Sequence, residues 1–434
     1  MRIVAWVLAG SLVAAPAFAQ ETETVRQVTL QQAVEIALQK NPLLRQAQTT
    51  VEQRQFDRLA AYGSFLPGVN LGYGYSNSST GRLDPTGQSI TRTSYTMQLR
   101  ATYDLFSGLR RFSDVKSSRL SLHAENARLR QTEYQTVLTA KQAFFNAVAN
   151  RDLVKVEQDR VARQEDQLSF VQQQVQLGRA TRSDLLRSQV DLNNAKLALL
   201  NAENSARAST FNLAEALGEE QRVEPAEEAT LEAAELPFSR EQIMTTAMRA
   251  GPSVTSAEAA TKAAQAAIAS ARSSYMPNFS FTGGWAWQAS DFPPKNRSWS
   301  LSVQGSYPLF NGFQRETQLW QAQSRADAAY AQEEAARLAL RSDVDAAYNQ
   351  IEVALAGIDL AEQSVDLSRE DLRVTQERYR LGLATILDLQ TAQIAVEQAE
   401  VDLINRRFDY QIGLAQLESL LGTSLREELP QPPR

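Results

Sequence analysis

The residues of this chain that could do chemistry are few, and the most regular of them are two aspartates. Asp184 and Asp388 each stand six residues after a glycine, in the matching turns Leu177-Gly178-Arg179-Ala180-Thr181 and Leu381-Gly382-Leu383-Ala384-Thr385. Two readings fit a repeated acid at such a place. Thr181-x-x-Asp184 and Thr385-x-x-Asp388 fit capping boxes, with the acid also favoured by the helix dipole. Alternatively the acids line a constriction and bias the passage of cations, and both can hold at once. The rest of the inventory mainly excludes. The chain has no cysteine, which rules out disulfides, cysteine metal sites, a thiol nucleophile and a lipid on cysteine. Its one histidine, His123, lies in a polar helical stretch without convergent partners and reads as solvated. Phosphate loops, metal spacings and nucleophile elbows are not found, so no catalytic residue, cofactor or metal is expected. A net charge of −6 argues against nucleic acid as a partner.

The elements that must position the two acids are written twice. Met1 to Ala19 reads as a secretory signal: charged Arg2, an apolar stretch, and Ala17-Phe18-Ala19 as a cleavage site. No later apolar run approaches the roughly 18 residues of a membrane helix, so any crossing must be made by strands. Gln20 to Gln27 is polar and reads as loose. Thr29-x-x-Gln32 then caps a short helix that stops at Asn41-Pro42, and Ser239-x-x-Gln242 caps one that stops at Gly251-Pro252, an offset of 252 − 42 = 210 residues. A helix from Leu43 to Ser64 ends at Phe65-Leu66-Pro67, and one from Ser253 to Ser274 ends at Tyr275-Met276-Pro277.

Strand grammar follows each. Apolar and polar residues alternate over about 68–77 and 94–106, and again over about 278–289 and 298–310, giving two hairpins. Each hairpin closes on a related stretch, Tyr103-Asp104-Leu105-Phe106-Ser107-Gly108 and Tyr307-Pro308-Leu309-Phe310-Asn311-Gly312, now offset by 307 − 103 = 204. The six residues lost between the two offsets belong in the hairpin connections, because a loop tolerates insertion where a strand would slip register. The aromatics Tyr73, Tyr75, Tyr95, Tyr103, Trp285, Trp287, Trp299 and Tyr307 suit a membrane-interface girdle or the core of a small soluble sheet. Arg110, Arg111 and Arg315, just beyond the strands, suit snorkelling or plain solvation.

Long helices are expected over about 108–177 and 312–381, each about 100 Å. In the second, Leu340, Val344, Ala347, Ile351, Ala354, Ile358, Ala361, Val365, Ser368, Leu372, Thr375 and Tyr379 step by four and three, the 3.5-residue period of a left-handed coiled coil. The first admits Asn150, Glu157 and Gln164 into its seam, which should be looser or wetter. Return helices follow over about 181–217 and 385–421, stopped by Gly218 and Gly422. The domain reading is therefore signal 1–19, first repeat 20–218, acidic linker or strap 219–237, second repeat 238–422 and a disordered tail 423–434. Phe106-Gly108 and Phe310-Gly312 become joints at which a tilted strand enters a helix of another direction.

This joint pattern of signal, duplicated helix–hairpin–long helix–turn–helix, YxLFxG and LGxAT-x-x-D resembles the TolC-like outer-membrane efflux protein family. The resemblance implies a mainly α fold with a membrane β part: a homotrimer forming a shared β-barrel and a long α-helical coiled-coil barrel, in the outer membrane of a Gram-negative-type cell. It implies a passive exit duct, contacted by outer-membrane lipid and served by a periplasmic adaptor and an inner-membrane transporter. It also implies that Asp184, Tyr379 and Asp388 hold or line a closed tip, and that Gly178, Arg179, Ala180, Thr181, Gly382, Leu383, Ala384 and Thr385 meet the adaptor. Ala384 departs from an arginine, and Thr391 from a second acid, that some members carry. A structural or adhesive trimeric coiled coil without transport activity is the alternative.

Overall fold

The computed structural model describes residues 26–83, 90–231 and 238–423. The secretory signal at 1–19, the middle of the first hairpin connection, the end of the acidic linker and the tail from Ser424 lie outside the described residues. In chain order the elements are β1 (Arg26–Val28), α1 (Leu30–Lys40), α2 (Pro42–Gly63), β2 (Gly68–Leu83), β3 (Ile90–Ser107), α3 (Arg110–Gln176), α4 (Arg182–Leu217), β4 (Val223–Pro225), α5 (Arg240–Ala250), α6 (Pro252–Arg272), β5 (Asn278–Ala289), β6 (Asn296–Ser306), α7 (Gln314–Arg380) and α8 (Ile386–Leu421). From α1 to α4 and from α5 to α8 the same succession of helix, helix, hairpin, long helix and return helix runs twice.

The two hairpins form one antiparallel sheet in the order β2-β3-β5-β6. Its register aligns the large apolar residues on one face: Val69 with Ala101, Leu71 with Leu99 and Trp285, Tyr73 with Met97 and Trp287, Trp285 with Trp299. Asn70, Arg100, Thr102, Thr282, Ser300 and Ser302 occupy the other face. Tyr75 pairs with Tyr95 and Trp285 with Trp299, so the offset changes from 285 − 75 = 210 to 299 − 95 = 204 across the hairpin end. The six extra residues of the first repeat thus lie beyond these pairs, away from the helices.

Several strand and helix bounds differ from the sequence expectation, each for a physical reason. β2 and β3 run well past 77 and start before 94, through Ser- and Thr-rich sequence expected to turn, with an irregular register between Asn77 and Arg82. Backbone pairing sustains such an extension where the side chains leave no alternating pattern. β6 ends at Ser306 instead of 310, because Pro308 cannot donate to a ladder, so Tyr307 and Phe310 lie outside the strand. Arg26–Val28, expected to be loose, pairs in parallel with Val223–Pro225 inside the expected linker. Strands of three residues are too short to leave a pattern.

Helix packing is equally explicit. The long helices α3 and α7 have 67 residues each, about 100 Å. α3 packs against α2 and α6 above and against α4 and α8 below, while α7 packs against α6 above and α8 below. One protomer is therefore a wall of helices with α2 and α4 along one edge and α7 along the other. Every seam position expected on α7 from Leu340 to Thr375 is buried, apart from half-buried Ser368. On α3, Gln164 is buried in the seam and its Nε2 donates to Gln393 Oε1 of α8 at 2.9 Å, beside an Arg160–Glu397 pair at 2.6 Å. That seam is polar at these positions, and the partners of Gln164 and Arg160 lie on α8.

The long helices begin at Arg110 and Gln314, two residues later than expected, because two residues at each joint are left-handed: Gly108 (φ +63°) with Leu109 (φ +64°), and Gly312 (φ +66°) with Phe313 (φ +63°). Leucine and phenylalanine in this region are strained at roughly 1–2 kcal/mol each. A Cβ at position 108 would lie 2.5 Å from Met276 Cβ and from Ser273 O, whereas one at 312 meets nothing within 4 Å. Gly108→Val should therefore impair assembly more than Gly312→Val, and the double substitution most. The yield of heat-resistant oligomers on unheated gels measures this, and equal yields from the two single variants would refute the steric account.

Candidate functional site

The two tip turns are built alike. After α3, the Gly178 N–H donates to Val175 O (3.0 Å) and the Arg179 N–H to Gln174 O (2.8 Å). After α7, the Gly382 N–H donates to Tyr379 O (3.0 Å) and the Leu383 N–H to Arg378 O (2.7 Å). Both are Schellman turns, which need a left-handed residue at the glycine; Gly178 has φ +70° and Gly382 φ +72°. Arg179, Thr181, Leu383 and Thr385 are exposed, and Ala180 and Ala384 half-buried, so the turns present themselves outward.

Each return helix then opens with a complete capping box. The Thr181 N–H and hydroxyl donate to Asp184 Oδ2 (3.0 and 2.7 Å), and the Asp184 N–H donates to Thr181 Oγ1 (3.2 Å). Thr385 and Asp388 repeat this at 2.8, 2.8 and 3.2 Å. The hydrogen bonds from Thr181 hold the Asp184 carboxyl below its ordinary range, and those from Thr385 do the same for Asp388. Both acids are thus locally employed and ionised at neutral pH.

Tyr379 joins the two turns. Its ring lies 5.8 Å from Phe170 of α3 and packs on the small apolar cluster of Leu372, Leu389, Ala392 and Val396. Burial pushes its phenol up, and the charge of Asp184 pushes it further in the same direction. Tyr379 thus meets the first repeat through Phe170 and Gln167 and feels the charge of Asp184, while Asp388 is engaged with its own turn and feels Arg378. Among the described residues no cluster of acids and histidine suited to a metal occurs. No described helix is long and apolar enough to cross a membrane.

At the opposite end the sheet presents its apolar face outward. Leu71, Tyr73, Tyr75, Trp285, Trp299, Leu301 and Val303 are exposed, Trp299 to 73%. Tyr75 and Tyr95 lie 5.1 Å apart near the hairpin ends, and Tyr103 lies near the helices. An exposed face this apolar, backed by a polar face and charged only at Arg297 near the hairpin end, is the wall of a membrane barrel and not the core of a soluble sheet.

The model of a family described as "Outer membrane efflux protein" matches residues 33–219 and 245–423, one segment in each repeat. The chain belongs to the outer membrane efflux protein family. Its relatives in that family include the outer membrane efflux protein BepC of Brucella suis, 20% identical over 99% of this chain and 94% of the relative. The outer membrane protein TolC of Vibrio cholerae is 25% identical, with 84% of each chain covered. In three dimensions the chain resembles the solved outer membrane protein VceC of Vibrio cholerae, with TM-score 0.76 at 18% identity, over 91% of this chain and 96% of that one. As an outer membrane efflux protein, the chain carries its sheet in the outer membrane of a Gram-negative cell and its helices in the periplasm, and it serves as an exit duct.

Sequence reasoning missed two sets of residues. Leu186, Val190, Leu197, Leu200 and Phe211 form an exposed stripe on α4, and Val353, Leu360, Leu367, Val374 and Leu381 form one on α7 at intervals of seven. The heptad spacing was legible, but beside the stronger seam it passes for a solvated flank. The second set is the Arg160–Glu397 and Gln164–Gln393 pairing, which no local pattern announces.

The capping geometry has a sign in pH. Because both carboxyls are lowered on folding, the caps stabilise the return helices fully above the ordinary aspartate value of about 3.9, and the contribution is lost as pH falls through the lower folded values. Thr181→Ala should cost about 1 kcal/mol at the start of α4. Amide exchange at residues 182–185 should rise severalfold at pH 7; the difference should shrink as acid protonates Asp184 without vanishing, because the Thr181 Oγ1 that accepts from the Asp184 N–H carries no charge, and equal exchange of the two chains at pH 7 would contradict the cap.

Proposed function

We propose that three copies of this chain close into one channel whose tip is held at rest by Tyr379 and Asp184 and released by a periplasmic adaptor. The observation that carries the reading is the pair of unfinished edges. β2 and β6 each lack a neighbour on one side, and bare strand edges cannot face hydrocarbon. The helical wall has exposed heptad stripes on both edges, α4 on one side and α7 on the other. Different surfaces on opposite edges make a head-to-tail contact that closes into a ring when the rotation allows. Three copies give about twelve strands, more than the roughly eight whose side chains fill a barrel, which leaves an aqueous lumen.

Adaptor docking belongs at the two Schellman turns, whose exposed Leu177, Leu381 and Leu383 stand at the end of the wall. Energy and cargo choice lie with an inner-membrane transporter; the duct itself needs no catalytic residue. The antiparallel returns α4 and α8 speak against the alternative of a continuous adhesive stalk.

Two measurements test this. Reconstituted in a planar bilayer, the protein should show steady single-channel conductance, and trivalent cations should block it weakly, since Asp388 supplies one ring of acids where Thr391 supplies none. Unaltered titrations with Asp388→Asn would remove Asp388 from the lumen. Replacing Leu360 and Leu367 together by Asp should abolish the trimer, because each exposed leucine buried in the contact contributes about 1.5–3 kcal/mol and each Asp would instead be desolvated. Normal trimers from that variant would reject the α7 edge as an interface.

A further inference from the structure

We infer that Arg111, at the joint between sheet and α3, is a binding site for the phosphodiester of a glycerophospholipid in the periplasmic leaflet. The inference rests on the apolar face of the sheet lying against lipid. Arg111 stacks on Tyr103, with its guanidinium carbon 4.8 Å from the ring centroid, and lies 5.7 Å from that of Phe65. Its side chain is only 11% exposed, yet Nε and Nη2 are enclosed without a hydrogen-bond partner. Asp104 makes a loose ion pair with it at 4.0 Å, which fills none of these donors because it lies beyond hydrogen-bond reach. A nearly desolvated cation with unfilled donors calls for an anion.

The other repeat shows how the same position is satisfied from within. Arg315, 204 residues on, stacks on Tyr275 at 4.9 Å, donates to Pro308 O (2.9 Å) and Leu309 O (3.2 Å), and pairs with Glu316 at 2.9 Å. None of these is open to Arg111. The carbonyls of Pro308 and Leu309 lie beyond the end of β6 at Ser306, whereas β3 continues to Ser107 and pairs with β5 at Asp104, Phe106 and Ser107, with Leu105 bulged out of the ladder between them. Where the second repeat has Glu316, the first has Phe112.

Location selects the kind of anion. Arg110 turns to the polar side, lining a cavity of about 830 Å³ with Ser107, Asn278 and Ser306. Arg111 turns to the apolar side with Tyr103, among exposed Leu66, Leu105, Leu109 and Phe112. A guanidinium set in an apolar rim at the foot of a barrel wall matches a lipid phosphate, whose chains cover the rim while its charge answers the guanidinium's and an oxygen takes the Nη1 donors, which are not among the enclosed atoms. Free phosphate has no chains to bury there.

The test is lipid retention by the full-length protein in detergent, followed by native mass spectrometry. Phosphatidylglycerol is compared with a galactosyl diacylglycerol of the same chains, and inorganic phosphate is added as competitor. The unsubstituted protein should prefer phosphatidylglycerol by about tenfold or more, as a charge-assisted contact of this kind predicts. Arg111→Gln should lose the preference and Arg315→Gln keep it. Phe112→Glu, which supplies the carboxylate that Glu316 gives Arg315, should also lose it while folding and assembling normally, and this variant keeps the test decisive if Arg111→Gln does not fold. Lipid bound without preference, or a preference that survives Phe112→Glu, overturns the site alone. Competition by millimolar phosphate at equal strength overturns its lipid assignment. Retention of no lipid of either kind overturns the membrane placement beneath it.

Discussion

Hydrocarbon offers no hydrogen bonds to a protein backbone, and that constraint governs this chain from end to end. Four strands pair completely with one another except along β2 and β6, and a sheet of four cannot curl far enough to pair those two edges around a lumen. Completion must come from outside the protomer. The helices obey the same logic in water, where unfinished apolar stripes on α4 and α7 leave leucines exposed until another surface covers them. Both halves of the molecule thus stop at matching edges, and the single wall makes physical sense only as a segment of a closed ring.

The two architectures have different directions, and the joints reconcile them. A strand in a barrel tilts, whereas the coiled helices run nearly along the tunnel. The turn is made by two successive left-handed residues at each joint, and only the first of each pair is glycine. Leu109 and Phe313 accept the strain because the flanking strand and the long helix fix both ends. The duplicated joints are not equivalent, however. Close packing against Ser273 and Met276 makes the first sterically tight, while the second is open, and the earlier end of β6 frees carbonyls that satisfy Arg315 and leave Arg111 wanting. Duplication supplied two copies of a device, and the different strand lengths gave them different chemistry.

Along the tunnel, α8 is gripped from two sides in unlike ways. Near the tip it meets an apolar seam of Leu372, Leu389, Ala392 and Val396 toward α7 and a polar one of Gln164–Gln393 and Arg160–Glu397 toward α3, while farther up Ile404, Phe408 and Ile412 pack on the apolar core of α3. An apolar seam resists shear because every displacement opens voids. A seam of amides and ion pairs can exchange partners with water as it slides. At the tip the α7–α8 pair meets the other repeat where the Tyr379 ring lies 5.8 Å from Phe170 of α3.

By itself the sequence determined whatever depends on local periodicity and on turn chemistry. The period of two set the hairpins, the 3.5-residue period set the α7 seam, and Thr-x-x-Asp and Leu-Gly set the caps and Schellman turns, because these interactions close within a few residues. The shift in repeat offset even assigned the insertion to the hairpin end, since register forbids it elsewhere. Tertiary structure decided what depends on partners distant in the chain: the joining of two hairpins into one sheet, the β1–β4 pairing, the polar partners of Gln164 and Arg160 on α8, and the meeting of Tyr379 with Phe170. It also separated Arg111 from Arg315, two residues the sequence presents as equivalents. Whether a guanidinium finds acceptors depends on where a neighbouring strand stops pairing, and a sequence pattern does not carry that.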